Sequence, residues 1–159
     1  MIPMNHNFTA EVRSLKVVHF AMVVGQVFFM AIVFFLAYTK ELDINNADLN
    51  RVFIYLVPVI AAGGCIASIW MFRIRLKIAK SMSDLQVKLM AYRSALVIRY
   101  AIIEGVSIFA IVISLVTGKL LYLGIAGILI LYFLALLPGI ERIASDLELN
   151  PEEKQLLTK

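Results

Sequence analysis

Charged side chains are scarce in this sequence. Asp, Glu, Lys and Arg make up 16% of its 159 residues, where a soluble domain carries about 25%. Once the apolar stretches are set aside, too little polar sequence remains for a separate soluble domain. Cysteine occurs once, at Cys65, which excludes an internal disulfide and any CxxC redox or zinc motif. Of the two histidines, His6 lies in a polar arm and only His19 in an apolar stretch, so a pair of intramembrane ligands for haem is missing. No glycine-rich phosphate loop, nucleophile beside a base or metal-ligand spacing is present. The chain is therefore expected to be no enzyme and to hold no cofactor or metal. Strand-like alternation is absent from the apolar runs, which argues against a β-barrel.

Apolar residues take the place of charge, at 62% of the chain and a mean hydropathy of +0.90. That is the composition of a membrane protein. Four apolar runs can be drawn: Val17 to Tyr38, Val52 to Phe72, Ala95 to Val116 and Leu120 to Leu137. Each is near the ~20 residues with which a helix crosses a hydrocarbon core about 30 Å thick. The expected architecture is all-α, a single integral membrane four-helix bundle over residues 1–159. A helical hairpin would join spans two and three, and an amphipathic tail would cover 139–159. The first run exceeds the 7–15 residues of a signal peptide and lacks a convincing small-residue cleavage site, so its retention is expected.

Lys/Arg asymmetry sets the expected orientation. The segment "RIRLKIAKSMSDLQVKLMAYR" holds Arg73, Arg75, Lys77, Lys80, Lys88 and Arg93 against one acid, Asp84, an excess that marks the cytoplasmic side. The loop with Glu41, Asp43 and Asp48 then lies outside and both termini inside, in a bacterial cytoplasmic membrane. Tyr38, Tyr55 and Tyr122 would fall near the outer boundary and Trp70 near the inner one. A net charge of +4 calls for no nucleic-acid partner, because anionic lipid of the inner leaflet accounts for it.

The basic segment reads as helical. Ser83-Asp84-Leu85-Gln86 fits the S-x-x-Q capping box, and a helix from Asp84 to Val116 would be roughly 50 Å long, with its excess in the cytoplasm. Leu85, Leu89, Tyr92 and Leu96 form a stripe expected to pack on Ile74 and Ile78 of the preceding helix. Such a hairpin either packs on itself or docks a second copy or another membrane protein. In the tail, Pro138 and Gly139 end the fourth span, Ile140, Ile143 and Leu147 share one face, and Asn150-Pro151-Glu152-Glu153 reads as a second helix start. Its acids could complement the basic hairpin or simply remain solvated.

The third span contains a carboxylate, Glu104, about nine residues past Ala95. Tyr100, Glu104, Ser107, Ile111 and Ser114 recur at helical spacings, as do His19, Met22, Gln26 and Met30 in the first span. Gln26 and Glu104 should reach similar depth, with His19 near Arg99 and Tyr100, which predicts an internal polar layer. Glu104 either binds or relays a proton or cation, or donates a hydrogen bond to Gln26 or Ser68 and pins the helices. Arg99 reads as a snorkelling interface residue or a substrate ligand. Gly64-x-x-x-Ser68, Gly124 and Gly127 mark expected close-packing faces, and Pro58 a kink in span two.

Locally, "YAIIEGVSIFAIVISLV" resembles the carboxylate-bearing helix of rotary ATP synthase c subunits, which implies an ion-binding role for Glu104. The chain departs from that family in lacking its glycine-rich partner helix. Across its length, with four spans, the "EG" of span three and the ending "PGIERIASDLELNPEE", it resembles small four-span membrane proteins of bacteria of the Bacteroidota kind. That resemblance implies no activity, cofactor or catalytic residue. The function expected is a non-enzymatic interaction or assembly component; the alternative is translocation of a proton, cation or small solute at Glu104.

Overall fold

The computed structural model describes residues 8–39 and 47–157, with side chains from Val12 and from Asn50 onward in those segments. The arm with His6 and the loop with Lys40, Glu41 and Asp43 lie outside the described residues. The described residues form six helices: α1 Phe8–Tyr38, α2 Ala47–Lys80, α3 Leu85–Thr117, α4 Leu121–Leu134, α5 Ile140–Asp146 and α6 Pro151–Leu156. No strand occurs among the described residues. α1, α2 and α3 are long and apolar enough to cross a membrane.

The fourth apolar helix differs from expectation. α4 has 14 residues, about 21 Å at 1.5 Å per residue, and stops short of the expected end at Leu137. Its last turn tightens, with Leu136 N–H donating to Phe133 O and Leu137 N–H to Leu134 O. Pro138 then blocks continuation, because it has no amide hydrogen and pushes the preceding Leu137 out of the helical region.

α3 is the central element and packs against α1, α2 and α4. Its cap is Asp84 rather than Ser83: the carboxylate accepts from Val87 N–H at 3.0 Å. A carboxylate at the positive end of the helix dipole is the better acceptor, so the expected S-x-x-Q box gives way to it. At the other end Gly118 takes φ 66° and its N–H donates to Ser114 O, a left-handed cap that glycine accepts at no steric cost. α2 packs tightly on α3 at Gly64, where a Cβ would lie 2.4 Å from Val106 Cγ2. Gly124 and Gly127 do not share this role, since open space faces both. Pro58 sits within α2 without ending it.

The stripe Leu85, Leu89, Tyr92, Leu96 is present, but its partners differ from those expected. Ile74 and Ile78 are exposed, whereas Phe72 and Ala79 of α2 are buried in one cluster with Leu89, Tyr92 and Leu96. The Phe72 and Tyr92 rings meet edge to face at 5.9 Å. Ile143, Leu147 and Leu157 of the tail complete the same cluster. Asn150 and Glu153 form a reciprocal capping box, with bonds of 2.7 and 2.9 Å, so the tail enters α6 where the sequence signals it. Tyr38, Tyr55 and Trp70 are exposed, as rings at a membrane boundary would be, but Tyr122 is buried and donates to Asn50 Oδ1 at 2.8 Å.

Candidate functional site: a polar line between α1 and α3

α1 and α3 run parallel. Gln26 meets Ser107 across a sequence separation of 81, and His19 meets Tyr100 at the same offset. Equal offsets two helical turns apart require both helices to advance in one direction, so polar groups on facing sides stack at matched depth.

At the upper level, the Ser107 hydroxyl donates to Gln26 Oε1, with the Glu104 carbonyl 3.1 Å away as its alternative acceptor. The Gln26 amide nitrogen donates back to Met22 O at 3.3 Å. Both side chains are buried. One hydroxyl and one amide thus satisfy each other where water is excluded, the arrangement by which polar groups hold apolar helices in register.

At the lower level, His19 is buried between two rings, Tyr100 at 4.9 Å and Phe133 at 4.5 Å between centroids. Neither imidazole nitrogen has a hydrogen-bond partner among the described residues. Tyr100 points its hydroxyl at Leu136 O, 3.0 Å away, in the turn after α4. Arg99 stands nearby on the α2 side, its guanidinium 4.8 Å above the Phe72 ring and Nη2 donating to Tyr132 Oη at 3.1 Å. Arg99 is thereby shared between α2 and α4 and pinned by both, and no hydrogen bond among the described residues joins it to His19.

Glu104 stands apart from both levels. Tyr100, Ser107, Ile111 and Ser114 are fully buried, as is Ile103, while Glu104 is only partly so. The buried seam of α3 is centred between Ile103 and Ser107, which leaves Glu104 at its margin beside the exposed residues Val97, Ala101, Gly105, Ile108 and Val112. The expected partners are engaged elsewhere: Gln26 with Ser107, and Ser68 with Cys65 O at 2.8 Å within its own helix. No hydrogen bond or ion pair reaches the Glu104 carboxylate from the described residues.

Comparison with family models, with characterised proteins and with solved structures yields no match. The chemistry of the site therefore rests on its own geometry. No group of three or more His, Cys, Asp or Glu side chains among the described residues is placed to hold a metal.

A second polar cluster joins the hairpin to the tail. Tyr92 donates to Asp146 Oδ2 at 2.7 Å, Lys80 pairs with Glu148 at 2.7 Å and Lys88 with Glu153 at 3.5 Å. The Lys80 ammonium holds the Glu148 carboxyl below its ordinary value. This pair supports docking above the ordinary carboxylate range, and its contribution is lost as pH falls through the depressed value. Tyr132, Phe133, Tyr92 and Asn50 were not among the expected site residues. Only the acidity of the tail beside a basic hairpin signalled any of these contacts in the sequence.

Proposed function

We propose that the chain is a four-span protein of the bacterial cytoplasmic membrane that acts as a non-enzymatic assembly component, with Glu104 at its intramembrane contact. The position of Glu104 carries this reading. A carboxylate near the middle of a spanning helix costs about 2.5–3.5 kcal/mol by insertion scales, and no group among the described residues offsets that cost by a hydrogen bond or ion pair. The adjoining surface of α3 is made of Ala101, Gly105 and Ile108, which would let another helix approach closely enough to donate a hydrogen bond. A second copy is the simplest donor, because two Glu104 carboxyls brought together can share one proton.

Docking of α5 and α6 on the hairpin supports a fourth crossing. α3 ends far from the hairpin, so the chain must return along α4 and its following turn for Asp146 to reach Tyr92. Six basic residues in and around the hairpin support its placement in the cytoplasm. In a Cys65→Ser background, cysteines at Ser81 and Lys119 should react with an impermeant thiol reagent from opposite faces, Lys119 in intact cells and Ser81 only after lysis. The reverse pattern would invert the orientation.

Translocation is the second reading, supported by a carboxylate, Glu104, on the same helix as Ser107 and one turn from the buried polar pair that Ser107 makes with Gln26. Glu104→Gln and Glu104→Leu separate the two. Assembly through hydrogen bonding predicts that the parent protein is oligomeric in mild detergent, that Glu104→Gln keeps the oligomer and that Glu104→Leu weakens it, by roughly 0.6–2 kcal/mol per bond lost. Translocation predicts proton or cation flux in liposomes that Glu104→Gln abolishes. A parent protein that is monomeric at all concentrations, with Glu104→Leu indistinguishable from it, would overturn the assembly reading.

A further inference from the structure

α1 presents Arg13, Lys16, Val17, Phe20 and Ala21 along one stripe, at the helical spacings of three and four that align side chains. Leu137, in the turn after α4 and just before Pro138, forms the facing wall. Together these six residues line an open, shallow trough of about 430 Å³, cationic at one end and aliphatic or aromatic along the rest.

Two cations beside one apolar wall are what distinguish this trough. Lys80, Lys88 and Lys154 each pair with a glutamate, while Arg73, Arg75, Lys77 and Arg93 are exposed cations that line no part of this trough. Arg13 and Lys16 pair with no acid among the described residues. Their depth is also defined: Leu136, next to the trough wall, accepts from Tyr100, which in turn packs on His19. The trough therefore lies at the hairpin end of the bundle, where the apolar run of α1 begins and that of α4 finishes.

We infer that this trough binds one anionic phospholipid, with its phosphate on Arg13 and Lys16 and an acyl chain along Val17, Phe20, Ala21 and Leu137. The inference rests on the membrane reading given above. A soluble phosphate would leave the apolar walls empty, and a zwitterionic lipid would bring an ammonium group against two cations. An anionic lipid matches both ends of the trough at once.

Native mass spectrometry of the full chain in neutral detergent tests this directly, with phosphatidylglycerol, phosphatidylcholine and inorganic phosphate as probes. One phosphatidylglycerol should be retained per chain, with at least tenfold preference over phosphatidylcholine and no displacement by millimolar phosphate. Arg13→Gln with Lys16→Gln should bind roughly thirtyfold more weakly, about fivefold for each basic residue at an anionic surface. Arg75→Gln with Lys77→Gln, on exposed positions of α2, should bind as the parent does. Ala21→Trp keeps both cations but fills the trough, and should lose the same lipid while its helicity by circular dichroism stays that of the parent. Equal retention of the two lipids, displacement by phosphate, or parent-like binding in either trough variant would overturn the site. Extraction of the chain from membranes by alkaline carbonate would instead overturn the membrane reading itself.

Discussion

Gly64→Leu should lower the thermal midpoint of the detergent-solubilised protein by roughly 5–10 °C, the shift that overpacking a tight contact by about 2–3 kcal/mol produces in a chain of this size. The cause is local. A Cβ at position 64 would stand 2.4 Å from Val106 Cγ2, and valine in a helix keeps one dominant side-chain rotamer, so that methyl cannot swing aside. Relief has to come from separating α2 and α3. Val106→Ala in the same chain removes the obstructing methyls and should recover part of the loss, giving a coupling energy that the two single changes do not predict. Gly124→Leu is the control, because nothing lies within 4 Å of a Cβ there. Equal losses for the two glycines would remove the Gly64 contact from the account of the fold.

Leu157→Asp should release the tail. Leu157 is fully buried in the cluster that contains Ala79, Leu89 and Tyr92, and burial of a leucine side chain contributes about 1.5–3 kcal/mol. An ionised aspartate cannot remain in that cluster without a partner, so α5 and α6 come away as a unit. Amide hydrogen exchange over residues 140–157 should accelerate tenfold or more, and exchange over Leu85 to Tyr92 should rise with it because the tail covers that part of α3. In the parent, protection of the tail should weaken as pH drops below 4.5, the ordinary value from which Lys80 lowers Glu148. A tail equally protected in Leu157→Asp, or better protected in acid, would contradict this view of docking.

How far the fold could be read in advance depended on whether a signal was carried by one segment or by two. The three long helices were legible because apolar length belongs to each run alone, and the Asn150 box because cap and partner are three residues apart. Pro138 marks where the fourth apolar run stops, but hydropathy continues to Leu137 while the α-helix ends at Leu134 and gives way to a tighter turn. Spacing placed Tyr100, Ser107 and Ser114 on the buried face of α3, yet Glu104, one position round from Ile103, fell at its margin. A spacing of three and four defines a face without locating its centre. Glycine was ambiguous for a related reason, since it permits a close approach at Gly64, Gly124 and Gly127 alike, and only Gly64 has Val106 opposite. The ring at Tyr122 matched a boundary residue by type, and its burial became visible only with Asn50 beside it.

The parallel arrangement of α1 and α3 has a consequence for synthesis. α2 and α3 are joined by a four-residue turn and can pair as soon as both have emerged, but Gln26 meets Ser107 only after 81 further residues. At translation rates of about 5–20 residues per second, that is a delay of roughly 4–16 s during which α1 stands without its partner helix. For that interval the amide of Gln26 and the ring of His19 have no interhelical contacts to α3, and another membrane helix or an insertion factor has its opportunity to hold them. The closure of the first helix therefore waits for a hairpin made half a chain later, and only the docking of α4 and the tail is left to residues made later still.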